Sequence, residues 1–213
     1  MNNIKAIIFD MDGTLIDSLD VWAESDRIFL EELGLLYNTS VSQAMKKMHY
    51  NSACDYIKET YSLEMPSEEI GRRIMEIVKD SYMHTIPLKP NVYEYLTAQQ
   101  KKGIKMCVAT SNDKELAVGA LKNLGIYDMM EFVITSDEVG IGKETPAIFI
   151  KAAEMLGFEP SETLVLDDSV HAVESAKSGG FIVGGVYGGK FADEFELIKK
   201  KADFTITDFG ELL

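Results

Sequence analysis

Cysteine is scarce: Cys54 and Cys107 are the 2 in a chain of 213 residues. Two isolated thiols make no disulfide framework and no cysteine-ligated metal cluster. Cys107 lies in an apolar run and reads as a small buried hydrophobe, so a cytoplasmic, reducing location is expected. Positive charge is also short. Lys and Arg number 21 against 35 Asp and Glu, a formal net charge of −14. Such a surface repels nucleic acid and anionic membranes, and neither is expected as a partner. An anionic ligand then needs positive charge supplied locally. No apolar run approaches the roughly 20 residues of a membrane-spanning helix. No signal-peptide pattern, internal repeat or low-complexity segment is seen.

Short apolar runs are present, and each stops at a polar cluster. Ile4 to Phe9 ends in Asp10-Met11-Asp12-Gly13-Thr14. Ile104 to Ala109 ends in Thr110-Ser111-Asn112, and Phe132 to Ile134 in Thr135-Ser136-Asp137. Thr163 to Leu166 ends in Asp167-Asp168-Ser169; Phe181 to Val186 and Phe204 to Ile206 follow. Runs of this type read as strands buried on both faces. Between them Val92–Lys101, Glu115–Leu124, Pro146–Leu156 and Val170–Lys177 carry apolar residues at helical spacing, each closed by glycine. Alternating strand and helix predicts an α/β fold, a doubly wound parallel sheet.

Residues 18–84 break the alternation and read as helix only: Asp20–Leu33, Ser42–Met48, Ser52–Tyr61 and Ser67–Met83. The expectation is an α/β core over 1–17 and 85–213 with an inserted all-α domain over 18–84. An insert whose two linkers meet over the active edge can act as a lid.

In open α/β sheets ligands sit outside the carboxyl ends of the strands. Asp10, Asp12, Asp167 and Asp168 therefore converge, with Lys143 ahead of a helix nearby. Two like charges about 4 Å apart repel by about 4 kcal/mol at an effective dielectric near 20. Such carboxylates cannot all ionise without cations. Mg²⁺ with oxygen ligands relieves the repulsion, and Lys143 adds a charge. A carboxylate nucleophile, hydroxyl donors, a lysine and magnesium fit phosphoryl transfer through an aspartyl-phosphate. Other readings fail on spacing. No EF-hand glycine or glutamate follows Asp10 or Asp12. Gly140-Ile141-Gly142-Lys143 has Asp137 and Glu144 where a phosphate-binding loop needs Gly and Ser or Thr. The glycines at 184, 185, 188 and 189 lack dinucleotide spacing and an obvious following helix.

The chain resembles the haloacid dehalogenase-like superfamily over nearly its full length. Asp10-Met11-Asp12-Gly13-Thr14, Thr110, Lys143 and Asp167-Asp168 match its four motifs in order. The helical insert after the first motif resembles the subgroup of β-phosphoglucomutase, phosphoglycolate phosphatase and sugar-phosphate phosphatases. The resemblance implies Asp10 as nucleophile and Asp12 as general acid, then base, its carbonyl also binding Mg²⁺. It implies Asp168 as a direct metal ligand and Asp167 as a ligand or its partner. Thr110 and the Ser111 backbone would hold phosphoryl oxygens, Asn112 would touch phosphate or leaving group, and Lys143 would neutralise Asp10 and the phosphate.

Departures are local. Glu144 stands where many relatives have Pro, and His171-Ala172 where many have Asn-Gly. His171 reads as a surface or helix-packing residue rather than a base. Asp12 argues for phosphate chemistry over dehalogenation. Trp22 aligns with a cap histidine of β-phosphoglucomutases and cannot do its proton work, so hydrolysis is expected over mutase activity. A non-catalytic binding protein on this fold is the remaining alternative. Trp22, Lys47 and His49 are candidate substrate selectors. The expected partner is a small phosphorylated metabolite, a sugar phosphate or similar, and the chain is expected to be a monomer.

Overall fold

The structure, a computed structural model, describes residues 3–45, 48, 50–189 and 192–213, without the side chains of Trp22, Ser42, Gln43, Tyr50 and Asn51. The chain opens with strand β1 (Ala6–Phe9) and continues through four helices, α1 (Val21–Glu32), α2 (Thr39–Met45), α3 (Tyr50–Thr60) and α4 (Ser67–His84). It then alternates: α5 (Val92–Lys101), β2 (Lys105–Thr110), α6 (Lys114–Asn123), β3 (Val133–Thr135), α7 (Ser136–Val139), α8 (Ala147–Leu156), β4 (Thr163–Asp167), α9 (Val170–Ser178), β5 (Ile182–Val186), α10 (Ala192–Lys199) and β6 (Phe204–Ile206).

All six strands are parallel, in the order β3-β2-β1-β4-β5-β6. The fold class read from the sequence is therefore the one observed. Parallel sheets need both faces covered, and β1 shows how. Ile8 faces a core with Cys107, Val165, Phe149 and Val173. Phe9 points the other way, its ring 6.2 Å from Tyr95 and 6.4 Å from Phe209. Burying each such side chain stabilises by about 1.5–3 kcal/mol, which explains why the strand sequences are apolar throughout.

The sheet order reverses direction between β1 and β4. Phe9 is paired with Val108 on one side and with Leu166 on the other. Asp10 N–H donates to Leu166 O at 2.8 Å, so the residue after each strand emerges at this switch point.

The helices start and stop for local reasons. The Asp113 carboxylate accepts from Leu116 N–H to open α6, and Ser169 Oγ accepts from Ala172 N–H to open α9. Asn91 precedes α5 at φ 60°, a conformation asparagine tolerates. Two helices were not legible in the sequence. α7 is four residues long, too short to show a period, and a Thr135–Glu138 capping box opens it. α10 follows the glycines after β5, where no helix was expected. Helix α2 starts at Thr39, three residues before the expected start at Ser42, and residues 46 and 47 of the expected helix lie outside the described residues.

Contacts divide the chain into two compact units, 1–19 with 86–213, and 20–85. The helical unit has a small core of its own, including Phe29, Leu30, Ile57, Ile70, Ile74 and Val78. Arg73 on α4 pairs with Glu32 at 2.6 Å and lies 5.3 Å from the Phe29 ring centre. Within the α/β unit, residues 15–17 and 87–89 run side by side. Asp17 N–H donates to Pro87 O at 3.0 Å and Lys89 N–H to Leu15 O at 2.9 Å.

Candidate active site

Three strand ends build the site. β1 delivers Asp10, which is 7% exposed. β4 ends on Asp167, 1% exposed, with Asp168 next. One carboxylate oxygen from each of Asp10, Asp167 and Asp168 lies within 4.8 Å of the others. Lys143, from the loop before α8, donates to Asp167 at 2.8 Å and also to Asp10. Ser169 N–H donates to the second Asp167 oxygen at 2.9 Å.

Asp12 is held from two sides. Ser18 Oγ–H donates to one oxygen at 2.6 Å and Asn112 Nδ2 to the other at 3.1 Å. The Asn112 backbone N–H donates to Thr110 Oγ1 at 3.0 Å. Thr110 itself is buried, and its hydroxyl shapes the turn that brings Asn112 to Asp12. Ser111 Oγ lies 3.1 Å from Ser136 Oγ.

A cleft of 250 Å³ is lined by Asp10, Asp12, Ser111, Lys143, Asp167 and Asp168, with Glu144 and His171 at its edge. Every core residue singled out in the sequence is thus placed: Ser111 lines this cleft, while Thr110 and Asn112 buttress it through Asp12. His171 is exposed on α9. Among the proposed selectors, Lys47, His49 and the Trp22 side chain lie outside the described residues.

Electrostatics follow from this crowding. Burial raises the Asp10 carboxyl well above the ordinary aspartate value. Lys143 pulls it back down, and Asp167, Asp168 and Asp12 push it further up. Burial, then the neighbouring Asp167, pushes Asp168 up to about 7. Burial also works against the Lys143 ammonium, but Asp10 and Asp167 together outweigh it and hold its pKa above the ordinary lysine value. The site is short of positive charge, as a cation-binding site should be. Its side-chain donors are carboxylate oxygens, the type preferred by hard divalent cations such as Mg²⁺.

Residues 4–180 match the family model of the haloacid dehalogenase-like hydrolases. The chain belongs to that family. It is an enzyme, and its relatives stand with the phosphatases and phosphomutases of the family. One is a phosphorylated carbohydrates phosphatase of Thermotoga maritima, 28% identical over 83% of this chain and 82% of the relative. Another is a phosphoglycolate phosphatase of Thiobacillus denitrificans, 25% identical over 83% of this chain and 80% of the relative. Among solved structures, the "putative beta-phosphoglucomutase" of Thermotoga maritima superposes with a TM-score of 0.89 at 27% identity. That match covers 99% of this chain and 97% of the other.

Sequence reasoning missed two residues of this family member's site. Lys89 is 8% exposed and donates to Gly13 O at 2.9 Å and also to Tyr187 O. Gly188 lies directly against Asp168: a methyl group built on it would overlap the carboxylate. Lys89 precedes Pro90 in a linker and carries no periodic signal of burial. Gly188 follows a strand without dinucleotide spacing, and no local pattern marks its approach to Asp168.

Proposed function

We propose that this enzyme is a Mg²⁺-dependent phosphatase that hydrolyses a small phosphate monoester, a sugar phosphate or similar, through an aspartyl-phosphate on Asp10. The observation that carries the reading is the position of the Asp10 carboxylate. It faces a lysine ammonium and two further carboxylates at the switch point, with Asp12 restrained beside it.

In the first step an Asp10 oxygen attacks phosphorus and the bond to the ester oxygen breaks. Asp12, protonated, gives its proton to the departing alkoxide, so the alcohol leaves neutral. In the second step Asp12 takes a proton from water as the water oxygen attacks phosphorus. The Asp10–phosphate bond breaks, inorganic phosphate leaves, and both carboxyl groups return to their starting states. The bonds from Ser18 and Asn112 aim Asp12 for both transfers. Lys143 offsets the charge that gathers on Asp10 and the phosphoryl group, and Ser111 binds phosphoryl oxygens. Asp10, Asp167, Asp168 and the Asp12 carbonyl would hold Mg²⁺, which supplies charge neutralisation for the transferring group.

The helical segment 18–84 serves as the cap of this site in our reading and selects the substrate, with Trp22, Lys47 and His49 as the residues to test. A small phosphorylated metabolite is the partner, with neither nucleic acid nor membrane. Among the described residues no helix is long and apolar enough to cross a membrane. The working form is a cytoplasmic monomer.

The likeness to the Thermotoga maritima structure favours a second reading, a phosphosugar mutase. The experiment that separates them is phosphate release from a panel of small phosphate esters, with Mg²⁺ and with EDTA, for the wild type and Asp10→Asn. Mg²⁺-dependent release that the substitution abolishes supports the phosphatase. Transfer of the phosphoryl group to a second hydroxyl of a sugar phosphate, without net release, would replace it with the mutase. No chemistry on any ester by folded, Mg²⁺-loaded protein would leave a binding protein.

A further inference from the structure

The mechanism above gives Lys89 no task, yet this lysine is nearly sealed from solvent. Burying an ammonium is costly unless its protons are accepted. Here two backbone carbonyls accept them, Gly13 O at 2.9 Å and Tyr187 O. These carbonyls belong to two separate segments. Gly13 turns the chain after Asp12 at φ +80°. Tyr187 precedes Gly188 in the loop after β5.

Both glycines meet the same side chain. A methyl group on Gly13 or on Gly188 would overlap the Asp168 carboxylate. Asp168 therefore lies in a slot whose two walls are bare backbone, and both walls are tied to one ammonium. The Lys89 charge also acts on Asp168, with Asp17 as its other carboxylate neighbour.

We propose that Lys89 is a positioning residue for the metal site: it clamps the Gly13 and Tyr187–Gly188 segments on either side of Asp168 and so sets the direction of that carboxylate toward a divalent cation. The inference rests on the assignment of Asp168 as a Mg²⁺ ligand made under Proposed function. Groups that orient a metal ligand typically matter 10–100-fold in metal affinity. A neutral, unbranched side chain of similar size would fill most of the space and release both carbonyls.

The test is calorimetric titration of the folded protein with Mg²⁺ alone, without substrate, for the wild type and Lys89→Met. Affinity is expected to fall about 10–100-fold in Lys89→Met. Turnover is expected to recover when Mg²⁺ is raised to saturation. A lower melting temperature with unchanged Mg²⁺ affinity would mean a purely structural tie and overturn the inference alone. A wild type that binds no Mg²⁺ would overturn the metal assignment as well. If Lys89→Met does not fold, Lys89→Gln, uncharged and one atom shorter, loosens the same tie. Weakened Mg²⁺ binding there supports the inference, and unchanged binding overturns it.

Discussion

Lys143 and Asp167, 24 residues apart in the chain, meet at 2.8 Å inside the cleft, and the same ammonium also serves Asp10. The lysine side chain is 11% exposed and that of Asp167 1%, so solvent screens the pair weakly. Removing one partner of a buried pair typically costs about 3–5 kcal/mol, because the other charge is left uncompensated. Lys143→Ala is expected to unfold well below the wild type in EDTA, by thermal melting. Added Mg²⁺ should recover part of the difference, since a cation can replace the missing charge. Equal melting of both proteins in EDTA would show that the pair does not hold the site together.

Metal alone should stabilise the wild type. Three carboxylates within 4.8 Å of one another bind a cation in the folded chain far better than in the unfolded one. Mg²⁺ at a hundred times its dissociation constant should add about 2.7 kcal/mol. The check is the melting temperature across a Mg²⁺ series, with Na⁺ at matched ionic strength as control.

Much of this site is legible in the sequence because strand ends in a parallel sheet must converge. Asp10 and Asp167 each follow or close an apolar run, and the runs had to be neighbours for the motifs to act together. Asp12 was less secure, since the turn at Gly13 breaks the two-residue alternation of a strand. Its bond to Asn112 joins residues 100 apart, and its bond to Ser18 crosses the turn at Gly13; neither follows from a helix or strand period. Lys89 was invisible because a lysine in a linker reads as solvated, whereas the carbonyls of Gly13 and Tyr187, with Asp168 and Asp17 nearby, make its burial tolerable. Helix α10 was missed because a glycine-rich stretch precedes it and it spans only Ala192–Lys199.

Glu144 tests the departure beside the lysine. Its exposed side chain lies against Gly142 and lines the same cleft as Lys143. A carboxylate there opposes an incoming phosphate. Glu144→Gln should lower KM for phosphate esters about two- to fivefold at low ionic strength, and salt should erase the difference. A KM unchanged at low salt would remove Glu144 from the account of binding.

Asp26, on α1, offers a test away from the site. Burial pushes its carboxyl up to about 7 from an unfolded value near 3.8. Between those values the folded chain binds more protons than the unfolded one, so its stability falls as pH rises through the window. Asp26→Asn should therefore be more stable than the wild type at pH 8, by about 1–3 kcal/mol, and nearly equal to it at pH 4. Denaturant melts at the two pH values measure this. A difference that does not change with pH would exclude Asp26 as its source.

The central claim is that Asp10 carries the phosphoryl group. Asp10→Asn should lose on the order of 10³-fold or more in kcat while keeping its melting temperature within a few degrees. The most direct measurement is a single turnover in ¹⁸O-water, followed by mass analysis of the peptide that contains Asp10. Water attacking phosphorus, as written above, leaves the Asp10 oxygens unlabelled and puts ¹⁸O in the phosphate, and acid quench during turnover should catch the peptide carrying one phosphoryl group. Labelled phosphate from a wild type whose Asp10 peptide is never phosphorylated under any quench, together with turnover surviving in Asp10→Asn, would contradict the account and point to direct attack of water on the ester.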